Sequence, residues 1–218
     1  MPETKTEVVS KSESAQSRWP VVLALLAVGG LNAILPEELS PGPGWLLLAI
    51  TAVLAVLTIL AHRTGRLGMN EILSHILLSA VTIGLIASLV LLIHGLLTKT
   101  ESPQMLLRGA IALWVSNVLV FASWYWRLDA GGPNQRDLRG AHTEGAFLFP
   151  QMMIPGRHPK RWTPGFVDYL FLAFNTSTAF SPTDVPVLSG WAKLMMMVQA
   201  SISLATVALI AARAVNIL

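Results

Sequence analysis

Thr176, Ser177, Thr178, Ser181, Thr183 and Asp184 put five hydroxyls and one carboxylate within nine residues at the end of an apolar segment. Such a cluster can line a wet vestibule. It can equally cap a helix terminus beside the Pro182 turn, with Ser181 or Thr183 holding free backbone groups. Asp168, near the start of the same segment, is an ionisable group in a membrane-length stretch, although a carboxylate in a first helical turn also complements the helix dipole. Asn117, Asn175 and Gln199 lie inside apolar runs and are expected to bond across a helical bundle. No hydrolytic or phosphate-binding constellation accompanies them: the chain has no nucleophile elbow, no His-Glu-x-x-His, no phosphate loop and no two carboxylates in one apolar run. Cysteine is absent, which removes disulfides, thiolate metal sites and cysteine nucleophiles. His62, His75 and His94 do not share metal-ligand spacing within a helix. The expectation is a protein without catalytic residues, metal or cofactor.

The elements that must position these groups follow from composition. With 53% hydrophobic and only 12% charged residues and a mean hydropathy of +0.60, the chain belongs to a membrane class whose first partner is the lipid bilayer. The net charge of +3 reflects basic residues in particular loops, so it bears on orientation and not on nucleic acid. Residues 1–18 are polar with mixed charge and read as a disordered tail. Residues 19–126 contain apolar runs at 19–35, 45–61, 72–97 and 105–126, each near the ~18–20 residues that cross a bilayer core, and predict a four-helix bundle. Pro20 suits a first helical turn, and Ser40-Pro41-Gly42-Pro43-Gly44 separates the first two runs. Residues 127–165 break the pattern with five prolines and six basic residues, which oppose regular helix and predict an interfacial or cytoplasmic loop. Within that loop, residues 147–155 are apolar but too short to span, and should lie at the interface or under the bundle. A last helix over 188–216 completes a C-terminal hairpin, residues 166–218.

Residues 166–194 can be laid without gaps on the pore pattern F-x-D-x-L-x-F-x-F-x-T-x-T-T-I-G-Y-G-D-x-x-P of potassium channels. Phe166, Asp168, Leu170, Phe174, Thr176, Thr178 and Asp184 coincide with pattern positions, and Lys193-Leu194 stands where channels open their next helix with a basic residue and Leu. The segment resembles a channel pore whose filter has been replaced: Ala179, Phe180, Ser181, Pro182 and Thr183 stand for Thr-Ile-Gly-Tyr-Gly, and Pro186 comes one place early. Pro182 fixes φ near −65° and both glycines are gone, so the ladder of inward carbonyls cannot take its usual shape. The resemblance implies ion permeation without a standard potassium filter, with monovalent cations as the permeant class and a homo-oligomer, fourfold by analogy. The run from Trp124 to Pro133, the Phe149-Pro150-Gln151 element and the stretch from Ser181-Pro182-Thr183-Asp184-Val185-Pro186 to the Ala-Arg-Ala-Val-Asn end also resemble small bacterial membrane proteins of unknown function, which implies a bacterial cytoplasmic membrane.

Arg63, Arg66 and the basic 127–165 loop predict one cytoplasmic side. Residues 166–181 then either re-enter as a half-helix or cross. A helix from a Thr163 cap to Ser181 reaches about 27 Å, just enough to cross. Crossing gives six spans with both termini cytoplasmic and satisfies every loop charge, and it is the reading adopted from sequence. Small residues recurring every fourth place, Ala80-Gly84-Ser88, Ser201-Ala205 and Ala208-Ala212, predict close helix packing. The expected architecture is all-α, a polytopic bundle of about six membrane segments. Its expected role is channel-like permeation; a non-conducting scaffold or accessory subunit, or a small-solute transporter, are the alternatives.

Overall fold

The computed structural model describes residues 17–98, 102–139, 142, 145–153, 162–178 and 184–214, and every element in it is helical apart from one isolated bridge. Helix α1 spans Trp19–Ala33, α2 Trp45–Arg63, α3 Leu67–Thr98 and α4 Pro103–Leu128. Short 3-10 turns at Glu37–Leu39 and Asp129–Gly131 flank α1 and α4. Helices α5 (Gly132–Arg139), α6 (Pro150–Met153), α7 (Phe166–Thr178) and α8 (Gly190–Ala214) follow. Local chemistry explains the starts: Pro20 occupies the first turn of α1, and Ser102 Oγ accepts from Met105 N at 3.3 Å ahead of Pro103 in α4.

Four helices are long and apolar enough to cross a membrane: Trp45–Arg63, Leu67–Thr98, Pro103–Leu138 and Gly190–Ala212. Helix α1 is shorter, with 15 residues, and α7 has 13, a rise of only about 20 Å at 1.5 Å per residue. The third of the long helices corrects the expected start of an irregular loop at residue 127. The chain there makes one left-handed step at Ala130 (φ 50°), Gly131 (φ 78°) and Gly132 (φ 85°), then resumes helix with Pro133 in the first turn, where its missing N–H costs nothing. Gly132 has a second reason to be glycine: a Cβ there would sit 2.6 Å from Arg127 O.

Helix α4 is the hub. It packs on α1 and α3 along one side and on α7 and α8 along the other, and most of its residues are buried. Helices α1, α2 and α3 meet the end of α4 in one place: Arg18 pairs with Asp137 of α5 at 3.0 Å, Asn70 Nδ2 donates to Thr58 O at 2.9 Å, and Arg127 Nη2 donates to Asn70 O at 3.2 Å. The start of α1, the end of α2, the start of α3 and the end of α4 therefore lie together, as an up-down bundle requires. Arg63 and Arg66 belong to this same end, because they join α2 to α3.

The direction of α7 departs from the expected hairpin. Gln199 Nε2 donates to Ala173 O at 2.7 Å, and Ser203 Oγ donates to Ser177 O, so a step of four residues along α8 matches a step of four in the same direction along α7. The two helices are parallel. A segment 166–181 that crossed the membrane and turned back into α8 would be antiparallel to it, so the six-span reading does not fit these contacts. The ends agree: Val187, just before α8, bridges Phe147, which packs on Tyr169 in the first turns of α7 at a ring separation of 6.3 Å. Leu148 N donates to Pro186 O at 3.0 Å and Leu188 N to Ala146 O at 2.8 Å. The chain enters at one end of the bundle as α7, and is back at that end by residue 186.

The small-residue expectation holds for one helix and not for the other. Gly84 and Ser88 are buried in α3, with Gly84 against Leu47 of α2. On α8 the buried face is Gln199, Ile202, Ser203 and Thr206, whereas Ser201, Ala208 and Ala212 are exposed. Hydrogen bonding to α7, and not small volume, decides which side of α8 faces inward.

Candidate functional site

The residues that unite α4, α7 and α8 converge on Gln199. Its side chain is fully buried and uses both ends: Oε1 accepts from Tyr125 OH at 2.5 Å, and Nε2 donates to Ala173 O and to Ser177 Oγ at 2.7 and 2.8 Å. Asn117 Nδ2 adds a bond to the Gln199 backbone carbonyl at 3.2 Å. Two of the three polar residues expected to bond across the bundle thus do so. Asn175 is half-buried, and its carbonyl accepts from Thr178 Oγ1 at 3.1 Å.

The reason for this polarity lies in α7. A helix that stops inside a bundle leaves its last carbonyls without intrahelical partners, and in an apolar setting each must find a donor. Ser203 serves Ser177 O and Thr178 serves Asn175 O. Thr176 Oγ1 likewise donates to Leu172 O at 2.8 Å. The hydroxyls of Thr176 and Thr178 are thus turned back onto their own helix, and that of Thr178 serves one of its last carbonyls. Ser181, Pro182 and Thr183 lie outside the described residues. Asp184 is exposed on a bend at the end where α7 begins and α8 starts. Asp168 caps α7: its Oδ2 accepts from Gly165 N at 2.7 Å, so the carboxylate holds a donor that the first turn would otherwise leave free.

A second buried cluster went unnoticed in the sequence. Asp129 is fully buried where α4 breaks, with Oδ2 accepting from Tyr169 OH at 2.7 Å and facing His142 Nε2 at 2.7 Å. Its Oδ1 accepts from Ala146 N at 2.5 Å. Arg136 donates to Asp129 O at 2.6 Å and to Trp126 O at 2.9 Å, and stacks over the Trp126 and Tyr169 rings at 5.5 and 5.8 Å. Burial pushes the His142 imidazole below its ordinary value, against the pull of Asp129 and with help from the Arg136 charge. One carboxylate thereby fastens three segments: the α4 break, the 142–146 stretch and the first turns of α7. The signal in the sequence was the Leu128-Asp129-Ala130-Gly131-Gly132-Pro133 run, in which an acid precedes residues suited to positive φ. Around it residues 147–153 of the apolar 147–155 stretch take the under-bundle placement, with Phe147 and Phe149 buried among Tyr125, Tyr169, Trp162 and Trp191; residues 154 and 155 lie outside the described residues.

Among the described residues no group of three or more His, Cys, Asp or Glu could hold a metal ion. No family model, no curated protein and no solved structure matches the chain.

Proposed function

We propose that this is a channel-like membrane protein in which α7 is a re-entrant half-helix and α8 the span behind it, with monovalent cations as the permeant class. The observation that carries the reading is the parallel pairing of α7 with α8, with α7 ending beside Ser203, thirteen residues into α8, while Asp184 to Val187 are back at its starting level. Half-helices that end inside a membrane protein aim their terminal dipole at a permeant ion, and a carboxyl-terminal end, carrying about −0.5 charge, favours a cation. Five spans (α1, α2, α3, α4 and α8) then cross, and all the described basic residues from Arg18 to Arg136 except Arg108 fall on the side from which α7 enters, in accord with a cytoplasmic face. Among the described residues of one chain there is no wide polar passage between α4, α7 and α8, because Gln199 and Ser177 close that seam. Permeation therefore belongs to a homo-oligomer, with the exposed apolar faces of α7 (Phe171, Phe174) and α8 (Leu194, Met197, Leu204) available to copies or lipid.

Absent cysteine, single cysteines at Arg157, Asp184 and Ala212 can be labelled by an impermeant reagent in sealed vesicles. Positions 157 and 184 should label from one side and 212 from the other. Labelling of 184 and 212 with opposite sidedness to this, 184 apart from 157, returns the six-span topology. Flux of Na+ or K+ in liposomes, reduced by Asp184→Asn, tests permeation itself. The scaffold reading is favoured by the sealed Gln199 seam, and folded oligomer that passes no monovalent ion would establish it.

A further inference from the structure

Between α1, α2, α3 and α4, near the end that carries the basic residues, lies a cavity of about 50 Å³ whose lining includes Arg127, Asn70, Ser74, Thr58 and Ser123. It does not overlap the α7–α8 seam. On the scale by which one water occupies ~10–15 Å³ of such space, it holds about three to five waters or one compact ion. No carboxylate lines it.

The charge balance is what makes this cavity unusual. Arg127 is buried, at 5% exposure, and among the described residues its guanidinium makes a single hydrogen bond, to Asn70 O at 3.2 Å, and no ion pair. A guanidinium has five N–H donors and does not deprotonate in proteins, so a buried one with a single neutral acceptor is a cation without a contact ion pair and with donors to spare. Of the carboxylates nearby, Asp137 pairs with Arg18 at 3.0 Å, and Glu71, whose Oε1 accepts from the neutral Asn134 Nδ2 at 3.2 Å, attracts Arg127 from beyond ion-pair distance. Arg18, which also lines the cavity, adds a second positive charge at its rim. The hydroxyls of Ser74 and Thr58 donate to backbone carbonyls of their own helices at 2.7 Å, so they supply little to a cation.

We infer that this cavity is a binding site for a compact monovalent anion of halide size, held by the Arg127 guanidinium. A monoanion matches the single guanidinium that lacks a contact ion pair, whereas a dianion would bring a larger desolvation cost into a pocket whose walls include Val21, Leu25, Leu77 and Leu78. Occupancy ties α1, α3 and α4 together at the end from which α7 also enters, and is independent of whether the protein conducts.

The full-length protein in detergent, melted in sodium chloride and in sodium gluconate at equal ionic strength, separates binding from screening, since gluconate is too large for the cavity. Chloride should raise the midpoint by about 3 °C or more at a tenfold excess over Kd, with gluconate inert. Arg127→Gln should abolish the difference, while Arg127→Lys, which keeps the charge, should retain part of it. Should Arg127→Gln fail to fold, bromide soaked into wild-type crystals gives the second readout, an anomalous peak beside Arg127. Equal melting in the two salts and no bromide peak overturn the inference. So does a phospholipid retained by wild type in native mass spectrometry and lost in Arg127→Lys without any chloride effect, which would assign the charge to a lipid phosphate.

Discussion

Helix α4 is packed in two different ways on its two sides. Toward α1 to α3 most contacts are apolar and depend on closeness, with Trp124 Nε1 to Thr82 Oγ1 and Arg127 Nη2 to Asn70 O the polar bonds to α3: Gly109 brings α4 against Leu39 and Leu92, just as Gly29 brings α1 within reach of Thr51 and Leu48 of α2. Toward α7 and α8 the contacts run through Tyr125, Asn117, Gln199, Ser177 and Ser203, all buried. The difference follows from where the helices end. A continuous helix satisfies its own backbone along its length and only needs volume to fit, which small residues provide when lipid is as apolar as Leu. Helix α7 stops among other helices after 13 residues, so its terminal carbonyls impose polar partners on whatever packs beside it. Polarity beside α7 marks an unfinished helix and need not mark a water path.

The strongest way to break that contrast is Gln199→Leu. It removes the partners of Tyr125 OH and Ser177 Oγ and one donor to Ala173 O, and should lower stability by about 2–4 kcal/mol in detergent, read by denaturant or thermal unfolding. If the variant is as stable as wild type, the seam is held by volume after all. On the other side of α4, Gly29→Ala puts a Cβ 2.6 Å from Thr51 Oγ1 and 3.0 Å from Leu48 Cα, and should cost about 1–3 kcal/mol. Gly84→Ala meets only the flexible end of Leu47 at 3.1 Å and should cost less than Gly29→Ala; the reverse order would show that α2 and α3 are the rigid pair.

The Asp129 cluster sharpens the comparison through pH. Because the folded protein holds His142 below its ordinary value, the unfolded chain binds more protons in the interval just under about 6.5, and stability is lost as pH falls through it. The thermal midpoint should drop between about pH 7.5 and pH 5, and His142→Gln should flatten the profile. A midpoint that rises on acidification would mean a protonated imidazole paired to Asp129. The smallest effect is expected at Ala208→Leu, within about 0.5 kcal/mol, because that residue is exposed on α8; Thr206→Leu, on the buried face two residues before, should cost more. Equal costs at the two positions would mean that a further helix covers the small-residue side.

The four N-terminal runs could be read from residues 19–35, 45–61, 72–97 and 105–126, and the observed helices differ from them by no more than five residues at any end. Hydropathy and helix-terminus chemistry are local, so they survive in a single sequence. The role of Asp168 was legible for the same reason: a carboxylate in a first turn can reach a free N–H without help from elsewhere. Gln199 was legible as a polar residue needing a partner, but not as the centre of three helices.

Two features lie beyond any local reading. The 13-residue length of α7 fits a short span extended at both ends or a half-helix equally well, and charge counting favoured the span. The choice depends on whether residues 173 and 177 meet 199 and 203 in parallel or antiparallel order, a relation between segments with no trace in either one alone. Asp129 likewise reads as a turn acid next to glycines, and only the folded chain brings Tyr169, forty residues on, to its carboxylate. What the sequence by itself determined is which stretches must be helical and apolar, because burial of peptide groups in lipid leaves each stretch no other choice. Only the tertiary structure decided the direction of α7 and the partners of its last carbonyls, because those are set by which donors other helices bring within reach.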